Sequence, residues 1–185
     1  MDVLLDAAAR ILAEGGLAGA NTNRIAEVAG VSVGSLYQYF PNKEALVAAL
    51  VERRVEQEVQ AFEAALLARR RLPLPELAAW LARGFVSLHA AERSLYEALL
   101  PAVPRLDRER FVRSRVERAT ECLARALAER AEGLARPDPK LAAFVALRAA
   151  EALVHTAVLE KPGMLEQGVL ASELEALLRG YLCPG

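Results

Sequence analysis

The chain has 185 residues, of which 54% are hydrophobic, and its 23 basic and 24 acidic side chains leave a formal net charge of −1. This length and composition predict one compact two-part protein with an ample core. No apolar stretch approaches the roughly 20 residues of a membrane helix, and Asp2 and Asp6 stand where a signal peptide would be positive, so we expect a cytoplasmic protein with no membrane partner.

Three short helices are predicted within the first 40 residues. The first has an apolar face and ends at Gly15-Gly16. Thr22 is the predicted N-cap of the second helix, because Thr commonly accepts a hydrogen bond from the first turn. Gly30 follows where this helix must stop, and glycine readily adopts the left-handed conformation of a C-cap.

The third helix begins after a predicted N-cap at Ser32. Leu36 and Phe40 are four residues apart and form its inward face, whereas small polar and aromatic residues occupy the outward face. Pro41 cannot extend this helix, and Asn42 is the predicted cap of the next one. Two helices around a short turn that contains glycine are typical of a helix-turn-helix.

Residues 2 to about 50 resemble the DNA-binding domain of the TetR (tetracycline-repressor-like) family of bacterial transcriptional regulators. The matching residues in the motif are Thr22, Ile25, Ala26, Ala29, Gly30, Val31, Ser32, Gly34, Ser35, Leu36, Tyr37, Tyr39, Phe40, Asn42, Lys43, Glu44 and Leu46. The resemblance implies an all-α fold of about nine helices. It also implies a helix-turn-helix head at residues 1–46 and a helical ligand-binding and dimerisation domain at 47–185.

The outward residues of the motif are the candidate DNA contacts. They are Thr22, Asn23, Ser32, Val33, Gly34, Ser35, Tyr37, Gln38, Tyr39 and Lys43. In the family, the positions of the two tyrosines contact phosphates, and Lys43 lies in the first turn of a helix, where anions bind. Gln38 can pair with adenine in the major groove. The alternatives are a half-buried packing role for Tyr37 and ordinary solvation for Lys43 and Gln38.

The predicted head is acidic, since residues 1–45 carry three basic and five acidic side chains. DNA-binding modules usually carry a basic surface. Asp2, Asp6 and Glu14 lie on the first helix, which need not face DNA. We therefore expect weak non-specific binding, with specific binding dependent on dimerisation and hydrogen bonds.

Beyond the head, the composition favours helices throughout and shows no strand signal. The predicted helices span residues 42–70, 75–91, 93–100, 106–132, 139–160 and 165–182. Proline and glycine lie mostly between them. Cys122 and Cys183 are distant from each other, so neither a zinc site nor a disulfide framework is indicated, and we expect no metal and no cofactor.

The last two predicted helices are the candidate dimer interface, because a helix-turn-helix protein needs a two-fold dimer to reach two half-sites. In the family these helices form a four-helix bundle between subunits. The candidates at helical spacing are Leu147, Val154, Val158, Leu174, Leu177, Leu178 and Tyr181. The alternative is that such positions complete the core of their own subunit.

An effector pocket is expected among the middle helices, since ligand pockets are mostly apolar with a few placed polar groups. The candidate lining residues are Trp80, Phe85, His89, Tyr96, Phe111, Phe144, Arg148, Glu151 and His155. Core packing is the alternative for each aromatic residue. Arg148, Glu151 and His155 share one helix face, where an intrahelical ion pair with a histidine at the dimer seam is the alternative to a pocket.

The sequence thus favours a DNA-binding regulator, in particular a repressor released from operator DNA by a small, largely apolar molecule. An enzyme lacks support, since the chain has no glycine-rich phosphate loop and neither histidine has a catalytic context. A helical interaction or ligand-binding protein that has lost specific DNA binding remains the alternative. In the regulator, we expect the long helix from Asn42 to carry the effector's signal to the head.

Overall fold

A computed structural model describes residues 1–100, 111–166 and 168–184, with side chains described outside 111–115 and 166. These residues form ten α-helices and no strand, which confirms the all-α prediction. The helices are α1 Asp2–Gly19, α2 Thr22–Ala29, α3 Val33–Tyr39, α4 Lys43–Ala68, α5 Leu74–Ala91, α6 Arg93–Leu99, α7 Phe111–Ala128, α8 Pro139–Glu160, α9 Gly163–Glu166 and α10 Val169–Leu182.

The predicted helix bounds agree with the structure to within two residues except in α1, in α7 and in the last predicted helix. The predicted last helix, 165–182, is two helices, α9 and α10, because Gly168 adopts a left-handed conformation (φ 69°, ψ 0°) directly before Val169. The helix predicted at 106–132 ends at Ala128, and residues 106–110 of that prediction lie outside the described part of the chain. The first helix does not end at Gly15-Gly16 as predicted; α1 continues to Gly19 and is interrupted at Gly16, which is non-helical (φ 63°, ψ −172°).

Helix α8 corrects the expectation that no stretch is apolar enough to cross a membrane. Its 22 residues meet that requirement by length and composition, with a mean hydropathy of 1.5. However, 44% of the apolar window is buried inside the protein. Ala142, Ala146 and Ala150 are among these buried residues, so one side of α8 packs within its own subunit.

Contacts group the chain into two compact units. The first contains Met1–Gln57 and Glu92–Arg113, of which 101–110 lie outside the described residues; the second contains Glu58–Ala91 and Ser114–Gly185. Helix α4 contributes residues to both. The predicted domain division after residue 46 stays a prediction, and the contacts group α6 and residues 47–57 with the head.

The first unit is built on α1, which packs against α2 and α6, while α2 packs against α3. Its core contains the side chains of Ile11, Ile25, Leu36 and Leu50, all at most 1% exposed. Since Leu36 is the inward residue of α3, its burial turns the opposite face of that helix toward solvent. In the second unit, α5 packs against α8, α9 and α10.

Candidate nucleic-acid interface

The turn between α2 and α3 has the predicted glycine geometry. Gly30 is left-handed (φ 69°, ψ 29°), and its N–H donates to the carbonyls of Ala26 and Glu27. Val31 N donates to Ala26 O at 3.0 Å, so the turn itself satisfies the carbonyls of Ala26 and Glu27 in the last turn of α2. This local bonding sets the direction in which α3 leaves the turn.

Side-chain caps define the starts of the three motif helices. The N-cap of α2 is Asn21 and not the predicted Thr22, because Asn21 is extended and its Oδ1 accepts from Asn23 N at 2.9 Å. Ser32 caps α3 as predicted, with its Oγ accepting from Ser35 N at 3.0 Å. Asn42 caps α4 as predicted, with its Oδ1 accepting from Ala45 N at 2.7 Å.

The outward face of α3 presents two tyrosines to solvent. Tyr37 is 47% exposed and Tyr39 is 58% exposed. Gly34 and Gln38 are also exposed, so both tyrosines and Gln38 lie on a surface that a DNA duplex can reach. Val33 is half-buried and packs partly against the core of the head.

A surface depression of about 500 Å³ joins α2, α3 and α4. Its lining residues are Ala18, Ala20, Asn21, Thr22, Tyr37, Pro41, Asn42 and Lys43. Within it, Thr22 Oγ1 lies 3.3 Å from the Tyr37 hydroxyl, and Lys43 Nζ donates to the carbonyl of Leu17. The ammonium has three N–H donors, so it can hold this carbonyl and still bind an anion.

Thr22, Tyr37 and Lys43 thus meet at one place, although 15 residues separate the first two and a further six the last. A hydroxyl pair beside an ammonium near two helix N-termini suits a phosphate group. Asn23, Ser32 and Ser35 lie at the starts of α2 and α3, and the Ser32 and Ser35 hydroxyls are hydrogen-bonded to each other at 2.8 Å.

The acidic residues of α1 pair with neighbouring arginines. Arg53 Nη2 donates to Asp6 Oδ1 at 2.7 Å, and Arg24 Nη2 donates to Glu14 Oε2 at 3.1 Å. Arg53 has no local sequence signal for this role, because its partner precedes it by 47 residues. These pairs offset much of the negative charge of α1 locally and also engage two of the head's cations.

In the second unit, five of the seven dimer candidates lie inside the subunit. Each is at most 7% exposed: Leu147, Val154, Val158, Leu174 and Leu178. Tyr181 is half-buried, and the Arg136 guanidinium carbon lies 4.6 Å from its ring centroid. Only Leu177 of these seven is exposed, at 45%. The alternative that such positions complete the subunit core therefore describes most of them.

The large apolar side chains that α8 and α10 do expose occupy other positions. They are Leu141, Phe144, Leu153, Leu159, Val169 and Leu177, each 40–55% exposed. We call these six residues the apolar face. Leu177 is among the seven predicted interface residues, and Phe144 and Val169 also recur at helical spacing on these helices. Periodicity alone does not separate such positions from the buried ones, since α8 carries apolar residues on its buried and exposed sides alike.

Three of the predicted lining residues, Phe85, His89 and His155, lie close together. His89 is 3% exposed, its ring stacks on Phe85 at a centroid distance of 6.0 Å, and it lies 5.3 Å from the ring of His155. The Nδ1 of His89 lies 2.9 Å from the carbonyl of Phe85, so this nitrogen carries the proton that the carbonyl accepts. Trp80 stacks on Phe62 at 6.1 Å.

The remaining pocket candidates are dispersed. Arg148 and Glu151 form an ion pair within α8, which was the alternative to a pocket role for these two residues. The Arg148 guanidinium carbon lies 5.8 Å from the ring centroid of Phe144. Phe144 is 49% exposed. Tyr96 is half-buried on α6 in the first unit, and the side chain of Phe111 lies outside the described residues.

An all-α chain with a helix-turn-helix head, an exposed helix α3 and an anion-suited depression beside it has the features of a DNA-binding regulator. Comparison with family models agrees. Residues 4–50 match the model of bacterial regulatory proteins of the tetR family, and residues 73–182 match that of the tetracyclin repressor-like C-terminal domain. The second match alone covers more than half of the chain. The chain therefore belongs to the TetR family of bacterial transcriptional regulators.

Individual relatives extend this comparison. The fatty acid metabolism regulator protein of Bacillus subtilis (strain 168) is 35% identical over 60 residues, 32% of this chain and 31% of that protein. The match thus spans about a third of the relative's length.

Solved structures show the same fold over nearly the whole chain. The FadR regulator of Bacillus subtilis in complex with stearoyl-CoA has a TM-score of 0.72 at 22% identity, with 96% of each chain covered. FadR of Bacillus halodurans has a TM-score of 0.70 at 22% identity, with 97% of each covered. SmeT, the repressor of a Stenotrophomonas maltophilia multidrug efflux pump, has a TM-score of 0.70 at 24% identity, covering 99% of this chain and 90% of its own.

Proposed function

We propose that this protein is a cytoplasmic, non-catalytic repressor that binds operator DNA as a homodimer and is released by a small, largely apolar effector. The observation that carries the proposal is the surface of the head, where Tyr37, Thr22 and Lys43 converge beside the exposed face of α3. Family membership supplies the class of regulator, and the residue roles below are part of the proposal.

In the proposed complex, α3 lies in the major groove and the depression holds a backbone phosphate. The Tyr37 hydroxyl and the Lys43 ammonium then donate to phosphate oxygens, which positions the protein without reading sequence. Tyr39, the more exposed tyrosine, contacts a second phosphate. Gln38 is exposed on the same helix, and its amide can donate to and accept from one adenine, so it reads sequence.

The proposed DNA interface contains few cations, and we therefore expect its DNA affinity to depend only weakly on salt concentration. Arg24 and Arg53 pair with acidic residues of α1, so Lys43 is the cation that the proposal assigns to a phosphate. With one such contact per subunit, counterion release predicts a slope of about −2 for log K against log salt, since each neutralised phosphate contributes about −0.9. Hydrogen bonds then supply most of the affinity.

The apolar face of α8 and α10 is the proposed dimer interface. Its six large side chains are 40–55% exposed, and exposed apolar surface on neighbouring helices is a candidate association site. A two-fold dimer places two copies of α3 on one side of the duplex at a spacing near one helical turn. The buried candidates such as Val154 and Leu174 then support the interface from beneath rather than contact the partner.

A long-chain acyl-CoA is the effector that we propose to test first. The support is twofold: the B. subtilis FadR structure holds stearoyl-CoA, and the second unit of this chain contains aromatic side chains among apolar helices, including Trp80 and Phe85. An acyl chain would bind among apolar side chains, with the thioester and phosphates held by a few polar groups.

A gel-shift experiment with the full-length protein tests both parts of the proposal. Fragments from upstream of its own gene are titrated at low and moderate salt, and stearoyl-CoA is then added to any shifted complex, with stearate and CoA as separate controls. A specific shift that only stearoyl-CoA reverses is the expected result. A shift that no acyl compound reverses rejects the effector but keeps the regulator. Failure to shift any fragment favours a protein that has lost DNA binding.

A further inference from the structure

Arg130, in the turn after α7, is hydrogen-bonded to two helix ends at once. Its Nε donates to Leu72 O at 2.8 Å and its Nη2 to Arg69 O at 3.3 Å. Nη2 also donates to Arg70 O, and Nη1 donates to Ala126 O in α7. One half-buried guanidinium thus serves four main-chain carbonyls, three of which lie directly after α4.

This arrangement meets a general need of helix C-termini. The last carbonyls of a helix lack partners within it and carry the negative end of the helix dipole. A planar guanidinium offers five N–H donors in a fixed geometry and a permanent positive charge. Arg130 therefore caps the C-terminal ends of α4 and α7 together and fixes the distance between them. Lysine, with a single rotating ammonium, cannot span the same set of acceptors.

The position of the cap gives it a functional meaning, because α4 begins in the head and ends in the second unit. At its other end, the Nζ of Lys43, the first residue of α4, reaches the depression, and Arg53 holds α1. We propose that Arg130 is a positioning residue for DNA binding: by fixing the C-terminal end of α4, it limits the movement of the helix whose first residues lie in the head. This inference rests on the proposed function.

The test compares Arg130→Gln with Arg71→Gln in the full-length dimer. Both remove one positive charge from the same region, but the side chain of Arg71 is exposed and takes no part in this set of hydrogen bonds. Arg130→Lys serves as the conservative variant. Three quantities are measured: hydrogen exchange of the peptides that cover residues 62–78, operator affinity well below the melting temperature, and the salt dependence of that affinity.

We expect Arg130→Gln to accelerate exchange at the end of α4 and to weaken operator binding by about 2- to 30-fold, the range for residues that couple distant sites. The salt slope stays unchanged, because Arg130 neutralises no phosphate. Arg71→Gln changes neither affinity nor exchange, and Arg130→Lys recovers only part of the loss.

The possible outcomes separate the two proposals. Faster exchange with unaltered operator affinity makes Arg130 a purely structural cap and overturns its positioning role. A shallower salt slope makes it a direct phosphate contact and overturns the role as well. If the wild-type protein shifts no DNA, the proposed function fails, and exchange in Arg130→Gln still decides whether Arg130 caps α4. Exchange rates equal to those of Arg71→Gln would reject the cap.

Discussion

Tyr37→Phe isolates a single hydroxyl of the proposed DNA surface. The ring stays in place, and the substitution removes only the oxygen that lies 3.3 Å from Thr22 Oγ1 in the depression beside Lys43. Because Tyr37 is 47% exposed, the hydroxyl is hydrated in the free protein. Its loss should change the free energy of unfolding by less than about 0.5 kcal/mol, as is usual for surface substitutions.

The effect on DNA binding should be larger, since the hydroxyl donates to a charged phosphate in the proposed complex. A hydrogen bond to a charged group contributes about 1.5 kcal/mol at the low end of its range. The dimer has two copies, so the loss is about 3 kcal/mol, or roughly 150-fold in Kd. Phosphates are present in every sequence, and the loss should therefore be the same for any operator variant.

Fluorescence anisotropy with a labelled operator and a set of single-base variants measures this effect. Tyr181→Phe is the matched control, because it removes a tyrosine hydroxyl from α10 in the second unit and should leave Kd unchanged. Two results would refute the reasoning. One is a change in the ranking of the operator variants, which would make Tyr37 a base reader. The other is a loss of less than about threefold, which is too small for two lost charged hydrogen bonds.

Further predictions concern other parts of the molecule. Gln38→Ala should relax preference at one base pair of each half-site, by about 1–3 kcal/mol, in the same anisotropy set. Gly30→Ala should lower the free energy of unfolding by about 1 kcal/mol or more in urea titrations, since φ is 69° there, whereas Gly19→Ala should not. Leu177→Glu should convert the dimer to monomer in size-exclusion chromatography, and Leu67→Glu, which is also at an exposed leucine, should not. Burial raises the pKa of the Cys122 and Cys183 thiols, so less thiolate is present near pH 8 and both should react with iodoacetamide more slowly in the native protein than in the denatured chain.

The head could be predicted from sequence because its determinants are local. The C-cap at Gly30 and the side-chain caps at Ser32 and Asn42 each involve partners at most four residues away. Such bonds depend on residue type and spacing, which a sequence displays directly. The one shift, from Thr22 to Asn21 as the cap of α2, exchanges two neighbours that are both good capping residues.

In the second unit, the sequence does not show which apolar residues are buried within the subunit and which are exposed. Periodicity marks Val154 and Leu174 as apolar positions of α8 and α10, but it cannot tell which partner buries them. The structure places both at 0% exposure within the subunit and leaves Phe144 and Leu177 outside. Which residues are buried depends on how α5 packs against α8 and α10. Helix α5 is far from both of them in the sequence.

Ion pairs and helix caps between residues far apart in the chain could not be predicted from the sequence. Arg53 pairs with Asp6 across 47 residues, and Arg130 reaches carbonyls about 60 residues earlier in the chain. Main-chain carbonyls have no residue identity, so no pattern of side chains indicates that Arg130 would bind them. A sequence shows the arginine and the end of the helix separately, and only the fold brings them together.

The acidity of the head is unusual for a DNA-binding module. It suggests how the proposed regulator would be released from DNA by an effector. Arg53 and Arg24 are paired within the head, so in the proposed complex bulk charge would attract DNA weakly and the hydroxyls of Tyr37, Tyr39 and Thr22 would carry much of the affinity. Each such bond contributes about 1 kcal/mol, or more when the acceptor is charged, and a few of them on one head bind too weakly to hold an operator. The dimer binds an operator tightly only if both heads contact the DNA. Hydrogen bonds are short-range, so they are lost when a head moves by a distance over which Coulombic attraction would persist. A small movement of α4 would therefore be enough to release the DNA.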